Sequence, residues 1–325
     1  MRFEDVVEGV RSELDEVDNA LLANLESDVP LIPAIGNYLA RGGGKRVRPI
    51  LVLLTSRLCG YEGARYITHS CVVEFIHTAT LLHDDVVDSS QVRRGGPSAN
   101  ARWGNEASVL VGDYLFAKSL WLLAADSDPR IIQAVSNATV YLSEGEVLQL
   151  INEFNLAASE KSYLDVIYRK TAALIASCCQ IGAILGKASS EREQALTEFG
   201  RNVGYAFQLV DDVLDYTAKS ERLGKPVGND LTEGNVTLPL IHLYRLAGEG
   251  EKQTIRELFL EPNGNPDGRL QIILEMMKKH GAIEYTMKQA RDYAERAKAI
   301  LKKFETSHHQ QALLSLADYV VEREQ

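Results

Sequence analysis

The chain has 325 residues, 45% of them hydrophobic and 25% charged, with a formal net charge of −10. This is the balance of an ordinary globular protein, and the acidity argues against nucleic acid as a general partner. No run of 18 consecutive apolar residues occurs, so no membrane-spanning helix is expected.

The N-terminus, Met1-Arg-Phe-Glu-Asp-Val-Val-Glu8, is acidic and amphipathic, unlike a secretory or transit leader. Residues 3–26 place Val6, Val10, Leu14, Val17, Leu21 and Leu25 at helical spacing, which predicts an amphipathic helix able to pack on its own core or on a second subunit. Then comes Leu39-Ala-Arg-Gly-Gly-Gly-Lys-Arg-Val-Arg-Pro49. Glycines let a backbone approach a ligand closely, and a helix N-terminus favours anions. Lys45, Arg46 and Arg48 are therefore a candidate phosphate site. The spacing is not that of a P-loop, and a basic surface turn is the bland alternative.

Helices are predicted from Pro49 to Cys59 and from Ala64 to Asp88. The second ends in Leu81-Leu-His-Asp-Asp-Val-Val-Asp88. On a helix, Asp84 and Asp88 share a face and repel. The same spacing returns as Asp211, Asp212 and Asp215 in Phe207-Gln-Leu-Val-Asp-Asp-Val-Leu-Asp215, at the end of a helix predicted over 191–218. Carboxylates between apolar walls are costly unless paired or metal-bound. Mg²⁺ is commonly held by one or two carboxylates plus substrate phosphates. Two such clusters point to a polyphosphate held through Mg²⁺; solvated acidic helix faces are the alternative.

His69 reads as structural, whereas His77, two turns before Asp84, is a candidate phosphate donor. Arg93 and Arg94 follow in a loop, and arginine forks suit phosphate oxygens. Helices are predicted over 106–126, 130–157 and 160–186, the last carrying Lys170 and Thr171. Gln208 lies one turn before Asp212. Residues 223–239, with Lys225, read as a loop of the kind that forms lids. Helices over 237–247, 251–260, 266–280, 282–305 and 309–323 complete the chain. Cys59, Cys71, Cys178 and Cys179 sit in apolar stretches without metal-ligand spacing and read as reduced thiols of a cytoplasmic protein. No strand, dinucleotide motif or linker is evident. The expectation is one all-α domain over 1–325, a single large helical bundle around a central cavity.

Several ordered motifs carry a resemblance: Gly43-Gly-Lys-Arg-Val-Arg-Pro49, Asp84-Asp-Val-Val-Asp88 with Arg93-Arg-Gly-Gly96, Gly145-Glu-Val-Leu-Gln-Leu150, Lys170-Thr-Ala172, Phe207 to Asp215, and Gly228-Asn-Asp-Leu-Thr-Glu-Gly234. Over nearly its whole length the chain resembles the trans-polyprenyl diphosphate synthase family, most of all its octaprenyl, long-chain members. The resemblance implies an all-α, usually homodimeric enzyme. Its reaction is the Mg²⁺-dependent, head-to-tail condensation of isopentenyl diphosphate with an allylic diphosphate. By position, Asp84, Asp88 and Asp211 are the implied Mg²⁺ ligands, and Arg93, Lys170 and Lys225 the implied contacts of the allylic diphosphate. Lys45, Arg48, His77 and Arg94 are the implied isopentenyl diphosphate site. Thr171 and Gln208 are implied to lie beside the allylic substrate's reacting carbons, and the departing diphosphate to accept the proton. Asn235 stands where many relatives have Lys.

Ala79 and Thr80, one turn before Asp84, are small where short-chain relatives commonly carry aromatics; Ile76 and Phe75 offer a deeper floor. The expected product is therefore long, octaprenyl to decaprenyl, serving quinone side chains. The alternatives are a short-chain farnesyl or geranylgeranyl diphosphate synthase, and a terpene cyclase. Against a cyclase stand the basic corner and the second aspartate motif. A regulatory subunit with damaged motifs and a helical scaffold are further readings.

Overall fold

Two helices apolar on every side set the architecture. In the computed structural model, which describes residues 2–42, 44–93, 95–217, 228–260 and 266–323, α4 (Val47–Leu58) and α10 (Ala173–Leu185) are buried along most of their lengths. A helix without a polar face must be surrounded, and these two pack against each other at the centre. A side chain at Gly182 would collide with Thr55 and Ser56, so glycine there lets the two backbones approach.

The other helices cover this pair. The predicted N-terminal helix is broken at Val10 into α1 (Phe3–Gly9) and α2 (Arg11–Asn24), and both still bury the expected apolar stripe. α3 (Leu31–Arg41) falls where no element is predicted. Pro30, Pro33 and Gly36 interrupt the pattern there, yet Pro33 lies in the first turn, where its missing N–H costs nothing. α5 (Arg65–Val87) carries the first aspartate cluster. A two-residue hairpin also departs from the all-helical expectation: β1 (Val92–Arg93) pairs antiparallel with β2 (Gly96–Pro97). Tyr38 donates to the Pro97 carbonyl at 2.7 Å and ties the hairpin to α3.

After α6 (Ala99–Trp103) come α7 (Asn105–Asp126), which packs mainly on α5, and α8 (Pro129–Asn152), which packs on α10. α8 stops earlier than predicted, and Ser159 then caps α9 (Glu160–Ile167) by accepting from the Ser162 N–H at 3.1 Å. By length and composition α7 is long and apolar enough to cross a membrane. It exposes several apolar side chains, Trp121 at 61% among them, and α8 exposes Ile151 at 70%. α11 (Ser190–Thr217) carries the second aspartate cluster. The chain resumes with α12 (Asn229–Glu233), inside the predicted loop, and α13 (Leu238–Leu246). Next come α14 (Glu249–Leu260), α15 (Pro266–Lys279), α16 (Ala282–Leu301) and α17 (His308–Glu322). α17 returns to the N-terminus, where Tyr319 stacks on Phe3 at 4.0 Å between ring centres. All four cysteines are free, and burial pushes the Cys71 and Cys178 thiols up to about 12, leaving them unreactive.

Arg46 belongs to this framework rather than to a phosphate site. It caps α4 in a left-handed conformation (φ 47°) and turns inward, to Asp18 at 2.8 Å and the buried Glu74 at 3.2 Å. Arg46→Ala should cost about 3 kcal/mol in urea denaturation, because it strands a buried carboxylate. The double variant Arg46→Met/Glu74→Leu should recover most of that loss.

Candidate active site

The two aspartate clusters face one cavity of about 440 Å³, which Asp84, Asp88, Arg93, Lys170, Thr171, Gln208 and Asp211 all line. Seven of the predicted site residues therefore meet, although they come from four separate segments. Within each cluster, however, the three carboxylates do different work.

Asp85 turns away from the cavity and is fully buried. Arg93 donates to it from Nε at 2.8 Å and from Nη2 at 2.7 Å. This bidentate pair folds the hairpin back against the end of α5. Asn100 reinforces the fold by donating to the Asp85 carbonyl at 2.9 Å. Arg93 is thus held rigidly at the cavity edge. Asp84 and Asp88 remain on the cavity side. Burial pushes Asp84 up to about 7; the Lys170 ammonium opposes this, while Glu146 and Asp88 add to it.

The second cluster is divided in the same way. Asp212 is buried and accepts from the Tyr163 hydroxyl at 2.5 Å and from Gln208 Nε2 at 2.8 Å. Burial pushes it up to about 7, against the pull of these two hydrogen bonds. Asp215 accepts from the Asn229 and Asp230 N–H groups at 3.2 and 3.1 Å, so it anchors α12 where the chain returns. Asp211 has a side chain that is 39% exposed, and Arg323 pairs with it at 2.7 Å. Burial raises Asp211, while Arg323, Arg48 and Lys45 pull it back.

Lys170 and Thr171 sit on a π-helical turn, Tyr168–Ala172, between α9 and α10. Such bulges re-aim side chains and are frequent at functional sites. Two glycines make room for it. A Cβ at Gly145 of α8 would lie 2.8 Å from the Lys170 nitrogen, and one at Gly204 of α11 would lie 2.5 Å from Ala172 Cα. Lys170 pairs with Glu146 at 2.8 Å. Burial lowers the Lys170 pKa, but Asp84, Glu146 and Asp88 outweigh it and hold the ammonium above its usual value. Thr171 donates to Gln208 Oε1 at 2.7 Å.

The basic corner lies beside Asp211, as the influence of Lys45 and Arg48 on that carboxyl shows. Lys45 sits over the Tyr319 ring, 4.8 Å from its centre, and hydrogen-bonds its hydroxyl. Arg48 Nε is buried without a hydrogen-bond partner, a donor that an anion would satisfy. His77 lines a neighbouring cavity of about 120 Å³, with Arg93 at the boundary of the two. Arg94 and Lys225 lie outside the described residues. Tyr163 and Arg323 contact the second aspartate cluster and were missed by sequence reasoning, since each is a single residue far from either motif. Glu146 lies inside the quoted Gly145–Leu150 motif, which was the available signal.

A third cavity, of about 210 Å³, opens beside Asp84 and is lined by Thr80, Phe116, Leu142 and Leu150. Thr80 faces it, whereas Ala79 is packed into the core. Phe75 faces the His77 cavity on the opposite side of α5, so it is no floor for this third cavity.

Among the described residues, no three His, Cys, Asp or Glu side chains gather into a ready-made metal cage. The carboxylates of Asp84, Asp88 and Asp211 stand at the ends of two helices, α5 and α11, and offer only hard oxygen donors. That suits a small divalent cation whose remaining ligands come from phosphate. Carboxylates and cations therefore share one cleft with apolar space behind it, which defines an enzyme for a diphosphate carrying an apolar tail.

The comparisons agree. A family model described as polyprenyl synthetase matches residues 29–277. The octaprenyl diphosphate synthase of Haemophilus influenzae is 43% identical over 323 residues, covering 99% of this chain and 98% of that protein. That of Escherichia coli is 42% identical over 324 residues and 100% of both chains. The decaprenyl diphosphate synthase structure from Rhodobacter capsulatus superposes with a TM-score of 0.94 at 42% identity, covering 99% of this chain and 100% of that one. A polyprenyl synthase from Caulobacter crescentus CB15, complexed with calcium and isoprenyl diphosphate, gives 0.95 at 37% identity, covering 99% and 98%. This chain belongs to the polyprenyl synthetase family and is a prenyltransferase.

Gly145→Ala should displace the π turn and with it Lys170 and Thr171. Turnover should fall by roughly a hundredfold, as about 1 Å of misplacement does elsewhere. A melting temperature that drops only a few degrees would separate misplacement from unfolding.

Proposed function

We propose that this chain, as a single domain over 1–325, adds isopentenyl diphosphate units head to tail to an allylic diphosphate. The product is a long, octaprenyl-like all-trans polyprenyl diphosphate for quinone side chains. We propose further that it works in the cytoplasm as a Mg²⁺-dependent homodimer. One observation carries the reading. The cavity holding both aspartate clusters and Lys170 adjoins, at Asp84 and Asp88, a second cavity that Thr80 leaves open and whose walls include Phe116, Leu142 and Leu150.

Asp84, Asp88 and Asp211 are the residues that would hold Mg²⁺. When bound, the metal supplies Lewis-acid stabilisation of the departing diphosphate. Arg93, locked by Asp85, and Lys170 meet the allylic diphosphate oxygens; Lys225 is assigned the same role. Lys45, Arg48, His77 and Arg94 bind the diphosphate of isopentenyl diphosphate. As the allylic C–O bond breaks, positive charge develops on carbon near Thr171 and Gln208, whose oxygens stabilise it without reorganising. The apolar walls keep water from the cation. Attack by the isopentenyl double bond leaves a proton to be lost. No side chain is assigned as a base, and the departed diphosphate takes it. The exposed apolar side chains of α7 and α8, including Leu110, Trp121, Val147 and Ile151, support a second copy packing there.

With farnesyl diphosphate, isopentenyl diphosphate and Mg²⁺, the main product should run well beyond twenty carbons, as sized by chromatography after dephosphorylation. A product of fifteen to twenty carbons would overturn the long-chain assignment. Thr80→Tyr should shorten the product sharply, and so should Ala79→Tyr through the displacement of its neighbours; unchanged length in both would remove α5 from length control.

Metal binding should also be proton-linked. The Asp84 carboxyl is raised to about 7 in the fold, from 3.8. Its ionisation therefore penalises the metal-free fold increasingly as pH rises from about 4 to about 7, and a bound cation removes that penalty. The gain in melting temperature on adding Mg²⁺ should be larger at about pH 8 than at about pH 6, and Asp84→Asn should flatten the difference.

A further inference from the structure

Tyr163, on α9, is buried beside the cavity and belongs to none of the motifs. We propose that Tyr163 is a positioning residue for prenyl transfer: through Asp212 it fixes the orientation of the Gln208 amide, and through Gln208 that of the Thr171 hydroxyl. The proposal rests on the reading that this cavity carries out prenyl transfer.

The directions of the hydrogen bonds carry it. The Tyr163 hydroxyl donates to Asp212 Oδ2 at 2.5 Å, and Gln208 Nε2 donates to Oδ1 at 2.8 Å. A side-chain amide has a donor end and an acceptor end of nearly equal shape, so only its partners decide which way it points. The Asp212 carboxylate takes the donor end. The carbonyl end is thereby left for Thr171, which donates its only hydrogen to Gln208 Oε1 at 2.7 Å. The remaining lone pairs of both oxygens are then available to the cavity that both residues line. Dipoles oriented in advance act on a developing charge with no cost of turning. Both Asp212 oxygens are engaged by these donors, and the carboxylate is only 4% exposed, so it serves as an anchor. Burial and the neighbouring Asp212 hold the Tyr163 phenol well above its usual range, so it remains a donor.

Without the phenolic hydrogen, Asp212 keeps one donor and Gln208 gains freedom to turn its N–H₂ group towards the cavity. That group would repel a cation. The effect should fall on the chemical step and spare diphosphate binding.

The test compares wild type, Tyr163→Phe, Gln208→Ala and the double variant in steady-state elongation. Tyr163→Phe should lower kcat about tenfold, the size of one lost transition-state hydrogen bond. KM for both substrates should stay within about twofold. In the Gln208→Ala background the same substitution should change kcat little, because its effect passes through Gln208. An unchanged kcat, or an equal loss in both backgrounds, overturns the proposal.

A second measurement needs no turnover. Calorimetry with Mg²⁺ would compare an allylic diphosphate analogue bearing ammonium at the cationic carbon with its neutral carbon isostere. Wild type should prefer the ammonium analogue; Tyr163→Phe and Asp212→Asn should lose most of that preference. No preference in wild type, or equal preference in all three, overturns the proposal. Should Tyr163→Phe melt far below wild type, Asp212→Asn carries this comparison alone. Wild type that discriminates between the analogues yet makes no elongated product would overturn the functional reading and leave the positioning role supported.

Discussion

Six aspartates stand at the ends of two helices whose other faces are apolar. Like charges crowded out of water cannot all remain ionised without partners, and much of the surrounding structure answers that constraint. Asp85 is neutralised by Arg93, while Asp212 accepts from two side-chain donors and Asp215 from two backbone N–H groups of α12. Each partner is also fastened to something else, so pairing the charges builds the walls of the cavity. The hairpin, α9 and α12 all hang from carboxylates.

Asp84, Asp88 and Asp211 face the cavity, and cationic side chains stand close to them. Asp84 shares its space with Lys170, itself paired to Glu146. Asp211 meets Arg323 from the far end of the chain. Cationic side chains thus temper the carboxylates without enclosing them.

Geometry at the reacting end depends on close backbone packing. The π turn carrying Lys170 and Thr171 fits because Gly145 and Gly204 have no side chains in its way. The same economy operates at the centre, where Gly182 lets α10 approach α4. Rigid packing of this kind holds the polar groups of the turn in fixed positions.

Local pattern was enough for most of the helices and for the charged motifs. Helical spacing marks α5 and α11, and the doubled D-D-x-x-D marks both ends of the site, because periodicity and spacing are properties of neighbours in the chain. The break at Val10, helix α3 across two prolines, and the hairpin at Val92–Pro97 were not legible, since long-range contacts such as Tyr38 with Pro97 sustain the hairpin. The sequence by itself determined that two acidic clusters, a basic corner and small residues before Asp84 exist on helices. Only the tertiary structure decided which aspartates face the cavity, that Arg46 turns inward while Arg48 keeps an unpartnered Nε, and that Tyr163 stands behind Gln208. The reason is physical: a residue's neighbours along the chain fix its spacing, but burial and hydrogen-bond partners come from helices dozens of residues away.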